Sequence, residues 1–143
     1  MKLPAKIEYA FKAIIELSLR YQPGVPVQLN VIAKSQGIPD KFLIQLLLRL
    51  KNANIISTSR GISGGYYLAR SPALITLLDV FKALGSEVLD KPKGKKSPGK
   101  LNTAALLTGI WAEISDNIIE SLAKKNFEDL VKQLKNEQPT YYI

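Results

Sequence analysis

The sequence predicts a mainly α-helical fold with one small β-hairpin, and three observations carry that prediction. Within the first fifty or so residues, apolar positions recur at three- and four-residue spacing in three separate stretches, the period of helices with one buried face. Two short β-prone runs then flank a glycine-rich link between residues 55 and 70, of the length that hairpins use. Further on, residues 103–125 keep an apolar stripe that would make a helix about 35 Å long.

From Ala5 to Arg20, the residues Ile7, Ala10, Phe11, Ile14, Ile15 and Leu17 line one helical face, and Tyr21-Gln22-Pro23-Gly24 ends it. After the turn PGVP, Leu29 to Gln36 has Leu29, Ile32 and Ala33 on one side and stops at Gly37, a residue free to adopt the left-handed conformation of many helix C-termini. Pro39 suits a first helical turn and opens a third helix, with Phe42, Leu43, Leu46, Leu47 and Leu50 as its expected core stripe. The runs Ile55 to Ser59 and Tyr66 to Arg70 are the two strands, joined by Arg60-Gly61-Ile62-Ser63-Gly64-Gly65. Helical spacing returns over Ile75 to Leu84 through Leu77, Leu78, Phe81 and Leu84, and Gly85 closes it.

The next segment, DKPKGKKSPGK, has no apolar residue from Asp90 to Lys100, so it buries nothing and is expected to be a flexible loop. Its lysines Lys91, Lys93, Lys95, Lys96 and Lys100 are point charges that add nonspecific affinity or nothing. The stripe of the long helix comprises Leu107, Ile110, Trp111, Ile114, Ile118, Ile119 and Leu122, and a short amphipathic piece follows around Phe127, Leu130, Val131 and Leu134. The expected division is a helical unit with its hairpin over 1–85, a flexible loop over 86–102, and the long helix with a C-terminal helix over 103–143.

At 143 residues the chain can bury one substantial core. With no cysteine and no histidine, thiolate catalysis, disulfides and ordinary zinc or copper sites are excluded, because carboxylates alone select poorly for those metals. Nor do the residues assemble an acid–base or nucleophilic set, so no enzyme, no cofactor and no metal site are expected. No apolar run approaches the roughly 20 residues that span a bilayer. The opening MKLPAKIEYAFKAII is interrupted by Glu8 and Lys12 and lacks a small-residue cleavage site, so a cytoplasmic protein is expected.

The net charge of +8 is unevenly spread. Residues 1–70 carry ten Lys and Arg against Glu8, Glu16 and Asp40, a net of +7, whereas residues 71–143 carry ten against nine. The first half therefore has the electrostatic footprint of a polyanion-binding surface.

Two short helices joined by Gln36-Gly37-Ile38, the second leading into a hairpin with a glycine-rich tip, make a winged helix-turn-helix. An α-helix fits the major groove of B-DNA, while a narrow hairpin tip can approach the backbone or the minor groove. Opposite the core stripe of the second helix lie Lys41, Ile44, Gln45, Leu48 and Asn52, with Arg49 at the flank. Gln45 suits an adenine or mixed base edge, Lys41 guanine or phosphate, and Arg49 the backbone. Ile44 and Leu48 are unusual there: either they meet thymine methyl groups or the helix is more buried, and burial is the expectation for Leu48. In the wing, Arg60 is the minor-groove candidate, and Gly61, Gly64 and Gly65 let the tip approach closely. The candidate DNA-binding set is Gln28, Lys41, Gln45, Arg49, Arg60, Gly61, Ser63, Gly64 and Tyr66. The long helix has no evident place within so small a subunit, so Leu107, Ile110, Trp111, Ile114 and Ile118 are expected to pair two copies in a two-fold interface.

The segments MKLPAKIEYAFKAIIEL, VIAKSQGIPDKFLIQLLLRLKNANII and SRGISGGYYLARSPALITLLDVFKAL resemble the Rrf-two family of bacterial winged-helix regulators. The similarity is specific from Met1 to about Leu89 and looser over the long helix, where Trp111 sits as the family often has it. The resemblance implies a homodimer crossing its long helices, recognition helices in successive major grooves of a palindromic operator, and wings in flanking minor grooves. Cluster-sensing members carry three cysteines in the segment that here reads DKPKGKKSPGKL. With none present, Glu8 would supply at most one hard ligand, and a cluster without thiolates is not credible. The resemblance implies that cysteine-free members answer to a small molecule or a protein partner. The family's usual Ser or Thr before the second helix is replaced by Gln28, a weaker N-cap.

The expectation is therefore a DNA-binding transcription repressor without an iron–sulphur cluster. The alternative is a winged-helix module that binds protein through the same helix, which the +7 charge disfavours because such a face is usually poor in lysine. RNA binding is disfavoured by the lack of an aromatic stacking platform.

Overall fold

In the computed structural model the described residues are 2–85, 89–90, 99 and 101–137. Their elements run α1 (Ala5–Leu19), α2 (Leu29–Gln36), α3 (Asp40–Asn52), β1 (Ile56–Ser59), β2 (Gly65–Leu68), a 3₁₀ turn (Pro72–Leu74), α4 (Leu77–Leu84), α5 (Thr103–Lys124) and α6 (Phe127–Glu137). This is the mainly helical fold with a small wing that the sequence predicts. Residues 91–98 and 100, most of the expected Lys-rich loop, lie outside the described residues.

The core gathers the stripes of three helices around α1. Ile7, Ala10, Ile14 and Leu17 of α1 meet Ile32 of α2 and Leu43, Leu47 and Leu50 of α3, all buried. At about 25 cal/mol per Å² of apolar surface removed from water, such side chains contribute roughly 1.5–3 kcal/mol each. Gly37 takes the left-handed conformation (φ 65°) at the end of α2, and its N–H returns to Ala33 O, which allows the sharp turn into α3.

Two residues of α3 behave differently from the sequence reading. Phe42 is 42% exposed and meets the ring of Tyr9 edge-on at 5.6 Å, so it braces α3 against α1 from outside the core. Leu48, expected to be buried, is 56% exposed. Its position is set by the helical period: Leu43, Leu47 and Leu50 already fill the inward face, and residue 48 projects from the other side.

The hairpin pairs Ile56 with Leu68 and Ser59 with Gly65 in antiparallel register. A third segment joins it: Val27 N–H donates to Tyr66 O at 2.7 Å, and Tyr66 N–H to Val27 O at 2.8 Å. Val27, between the PGVP turn and α2, thus anchors the wing. Next, α4 begins at Leu77 and not at Ile75, because Thr76 and Asp79 form a reciprocal cap, Asp79 N–H to Thr76 Oγ1 at 3.2 Å and Thr76 N–H to Asp79 Oδ2 at 2.9 Å. Ile75 stays extended, with its side chain fully buried.

The C-terminal piece returns to this body. Phe127 is wholly buried beside Phe11 of α1, with ring centroids 6.0 Å apart, and its N–H donates to Ile75 O at 3.0 Å. By contrast, no residue of α5 before Ser115 is buried, so the first half of the long helix extends past the body that its second half rests on.

Candidate nucleic-acid interface

Lys41, Ile44, Gln45, Leu48 and Asn52 are all exposed on the outward side of α3. Beside them, residues 28–66 include Lys34, Lys41, Arg49, Lys51 and Arg60 against Asp40 alone. The wing tip is equally open: Arg60 and Ser63 are exposed, Ile62 is completely so, and Arg60 has no ion pair or hydrogen bond among the described residues. Gln28 makes no side-chain cap for α2, and its Nε2 instead donates to Ile62 O at 3.4 Å, holding the tip against the start of the helix-turn-helix.

Several of the candidate residues also have roles within the fold. Arg49 Nη1 donates to Leu84 O at 3.0 Å, where Lys6 Nζ also donates at 3.3 Å. Two cations therefore meet the last carbonyl of α4, whose dipole end favours positive charge, and Arg49, itself exposed, also braces α4. Tyr66 is half-buried, packs on the core and bridges to Val27, so it supports the wing from behind. Gly64 is required by the wing's own packing, since a Cβ there would lie 2.3 Å from Ser59 O; at Gly65 it would lie 2.4 Å from Val27 O. Gly61 takes φ 105°, so glycine is needed there for the turn itself.

One buried polar group escaped the sequence reading. Glu16 is 3% exposed on α1 and accepts from Arg20 Nε at 2.8 Å and from Gln36 Nε2 at 2.8 Å. Burial raises its pKa, yet hydrogen bonds from Arg20, Gln36 and Ser35, with the charge of Arg20, outweigh burial and hold it below its ordinary value. The signal lay in a carboxylate beside an apolar stripe with arginine four residues on.

The expected interface helix divides in two. Leu107, Ile110, Trp111 and Ile114 are 59%, 46%, 57% and 41% exposed. Ile118 is half-buried and lines, with Leu122, a groove against Leu3, Phe11, Leu77 and Phe81 of its own chain.

A helix-turn-helix with an open outward face, a wing beside it and a basic surround defines a winged-helix DNA-binding transcription regulator. The chain belongs to the Rrf2 family, whose model, described as an iron-dependent transcriptional regulator, matches residues 3–133. It is 34% identical over 92% of its length to the regulator IscR of Xenorhabdus nematophila, covering 80% of that protein. It is also 31% identical over 99% of its length to CymR of Bacillus subtilis, covering 97%. Among solved structures, T. potens IscR superposes with a TM-score of 0.79 at 27% identity, covering 99% of this chain and 94% of that one. CymR, the global cysteine regulator of B. subtilis, superposes with a TM-score of 0.75 at 28% identity, covering 93% and 98%. These relatives are regulators and not enzymes.

The iron dependence in the family's description does not fit this chain's donor set. There is no cysteine or histidine in the sequence, and among the described residues no three carboxylates gather into a site that could hold a metal ion. Iron–sulphur clusters are held by thiolates, with histidine in some types. Among the described residues no helix is long and apolar enough to cross a membrane.

Proposed function

We propose that the protein is a transcription repressor that binds a palindromic operator as a homodimer and answers to a small molecule or protein partner and not to a cluster. The observation that carries the dimer is the exposed stripe Leu107, Ile110, Trp111 and Ile114, too much contiguous apolar surface to leave in water. The groove that Ile118 and Leu122 line on the same chain, about 300 Å³, supplies a complementary hollow, as a self-complementary two-fold contact requires.

On DNA, α3 enters the major groove with Lys41 and Gln45 toward base edges and phosphate, while Arg60, Gly61 and Ser63 bring the wing to the flanking minor groove. Gln28, through Ile62 O, sets where the tip stands relative to α2. Residues 1–85 carry the DNA-binding surface and residues 103–143 the assembly, with Phe127 tying the second to the first.

Genomic fragments retained by the purified protein, footprinted and then used as templates for transcription in vitro, test this reading. Protection of two half-sites about one helical turn apart, with lower transcript yield on adding protein, is the expected result. A single unpaired footprint, or unchanged yield, counts against it.

A further inference from the structure

We propose that Ile44 and Leu48 read the 5-methyl groups of two thymines in each half-site, which makes the protein's preferred DNA thymine-specific at positions where it makes no hydrogen bond. The inference rests on α3 being the recognition helix. Two aliphatic side chains stand 47% and 56% exposed on the outward face of α3, where solubility alone would favour polar residues. Neither contributes to the core, which Leu43, Leu46, Leu47 and Leu50 fill from the opposite side.

The surroundings select the occupant. Lys41 precedes this pair, Gln45 lies between its members, and the wing presents an exposed Arg60, so the aliphatic patch lies within a basic surface suited to a polyanion. In the major groove the one apolar feature of a base pair is the thymine methyl. Ile44 and Leu48 are one helical turn apart, about 6 Å along the axis. Base pairs rise about 3.4 Å each, so a helix lying along the groove places the two side chains over methyls about two steps apart. Gln45 is then left for a hydrogen bond to an intervening or opposite base.

The test uses the full chain and a duplex enriched by it from a random pool. Each thymine is replaced in turn by deoxyuridine, which removes the methyl and keeps every hydrogen-bonding group. Binding is expected to weaken about fourfold at each of two positions roughly two steps apart, the loss that burying one carbon's worth of apolar surface implies. Leu48→Ala is expected to abolish the discrimination at one of these positions and Ile44→Ala at the other, with thermal melting of both variants close to that of the parent. Equal binding of thymine and uracil duplexes at every position overturns the proposal and leaves DNA binding standing. Failure of any duplex to be enriched removes the DNA-binding reading itself, and the apolar pair then belongs to a protein contact.

Discussion

Gln36 Nε2 donates to Glu16 Oε2 at 2.8 Å, so the last residue of α2 is tied to a carboxylate buried on α1. Because Arg20 meets the other oxygen at 2.8 Å, the carboxylate is charge-balanced and bonded on both sides. Glu16 fixes the angle at which the helix-turn-helix leaves α1.

Glu16→Ala is therefore expected to lower stability by about 2 kcal/mol, since it removes the charged acceptor that Arg20 and Gln36 share. The folded-state pKa of Glu16 is depressed, so its stabilising contribution is fully present above the unfolded carboxylate's pKa and is lost as pH falls through the folded value. Chemical denaturation between pH 7 and pH 3 should show a steeper loss for the parent than for Glu16→Gln. Parallel profiles would remove Glu16 from this role.

The assembly prediction rests on residues whose side chains the subunit itself does not use. Ile110 and Ile114 are 46% and 41% exposed, whereas Ile118 is half-buried and lines the groove beside α4. Replacing Ile110 and Ile114 by Glu should give folded monomers in sedimentation, with operator affinity reduced at least tenfold because each half-site is then bound alone. A dimeric double variant would place the interface elsewhere.

Base and phosphate contacts separate by their salt dependence. Gln45→Ala should cost about 1–3 kcal/mol on the operator and barely change binding to scrambled duplex. Arg60→Ala should weaken both and reduce the log–log salt slope by about 0.9 per lost phosphate-like contact. Mobility shifts at several salt concentrations distinguish the two patterns. If both variants bind within twofold of the parent, the outward face of α3 and the wing tip are not the DNA surface.

Wing geometry makes a fourth prediction. A methyl at residue 65 would sit 2.4 Å from Val27 O, against backbone that cannot turn aside. Gly65→Ala should break the Val27–Tyr66 bridge and lower the melting temperature by several degrees, consistent with a loss of about 1–3 kcal/mol. Ser63→Ala, at an exposed tip position, is the control and should melt as the parent does.

The sequence by itself determined that these helices exist and roughly where most of them end. The stripes of α1 and α2, the glycines at 37 and 85 and the apolar run of α5 are local signals, because a helix's period and its left-handed terminus depend on near neighbours. It also determined the chemistry excluded here, since a chain without cysteine or histidine cannot hold a cluster wherever it folds. Only the tertiary structure decided which side chains were free. Arg49 and Leu48 are adjacent on α3, yet Arg49 is engaged by Leu84 O while Leu48 projects outward. Ile114 and Ile118 share one stripe, yet only the second lines the groove beside α4. Such assignments depend on which distant element lies alongside: Val27 on Tyr66, Gln36 on Glu16 and Phe127 on Phe11 join residues far apart in the chain. Periodicity shows that a face exists, and packing between elements determines what covers it.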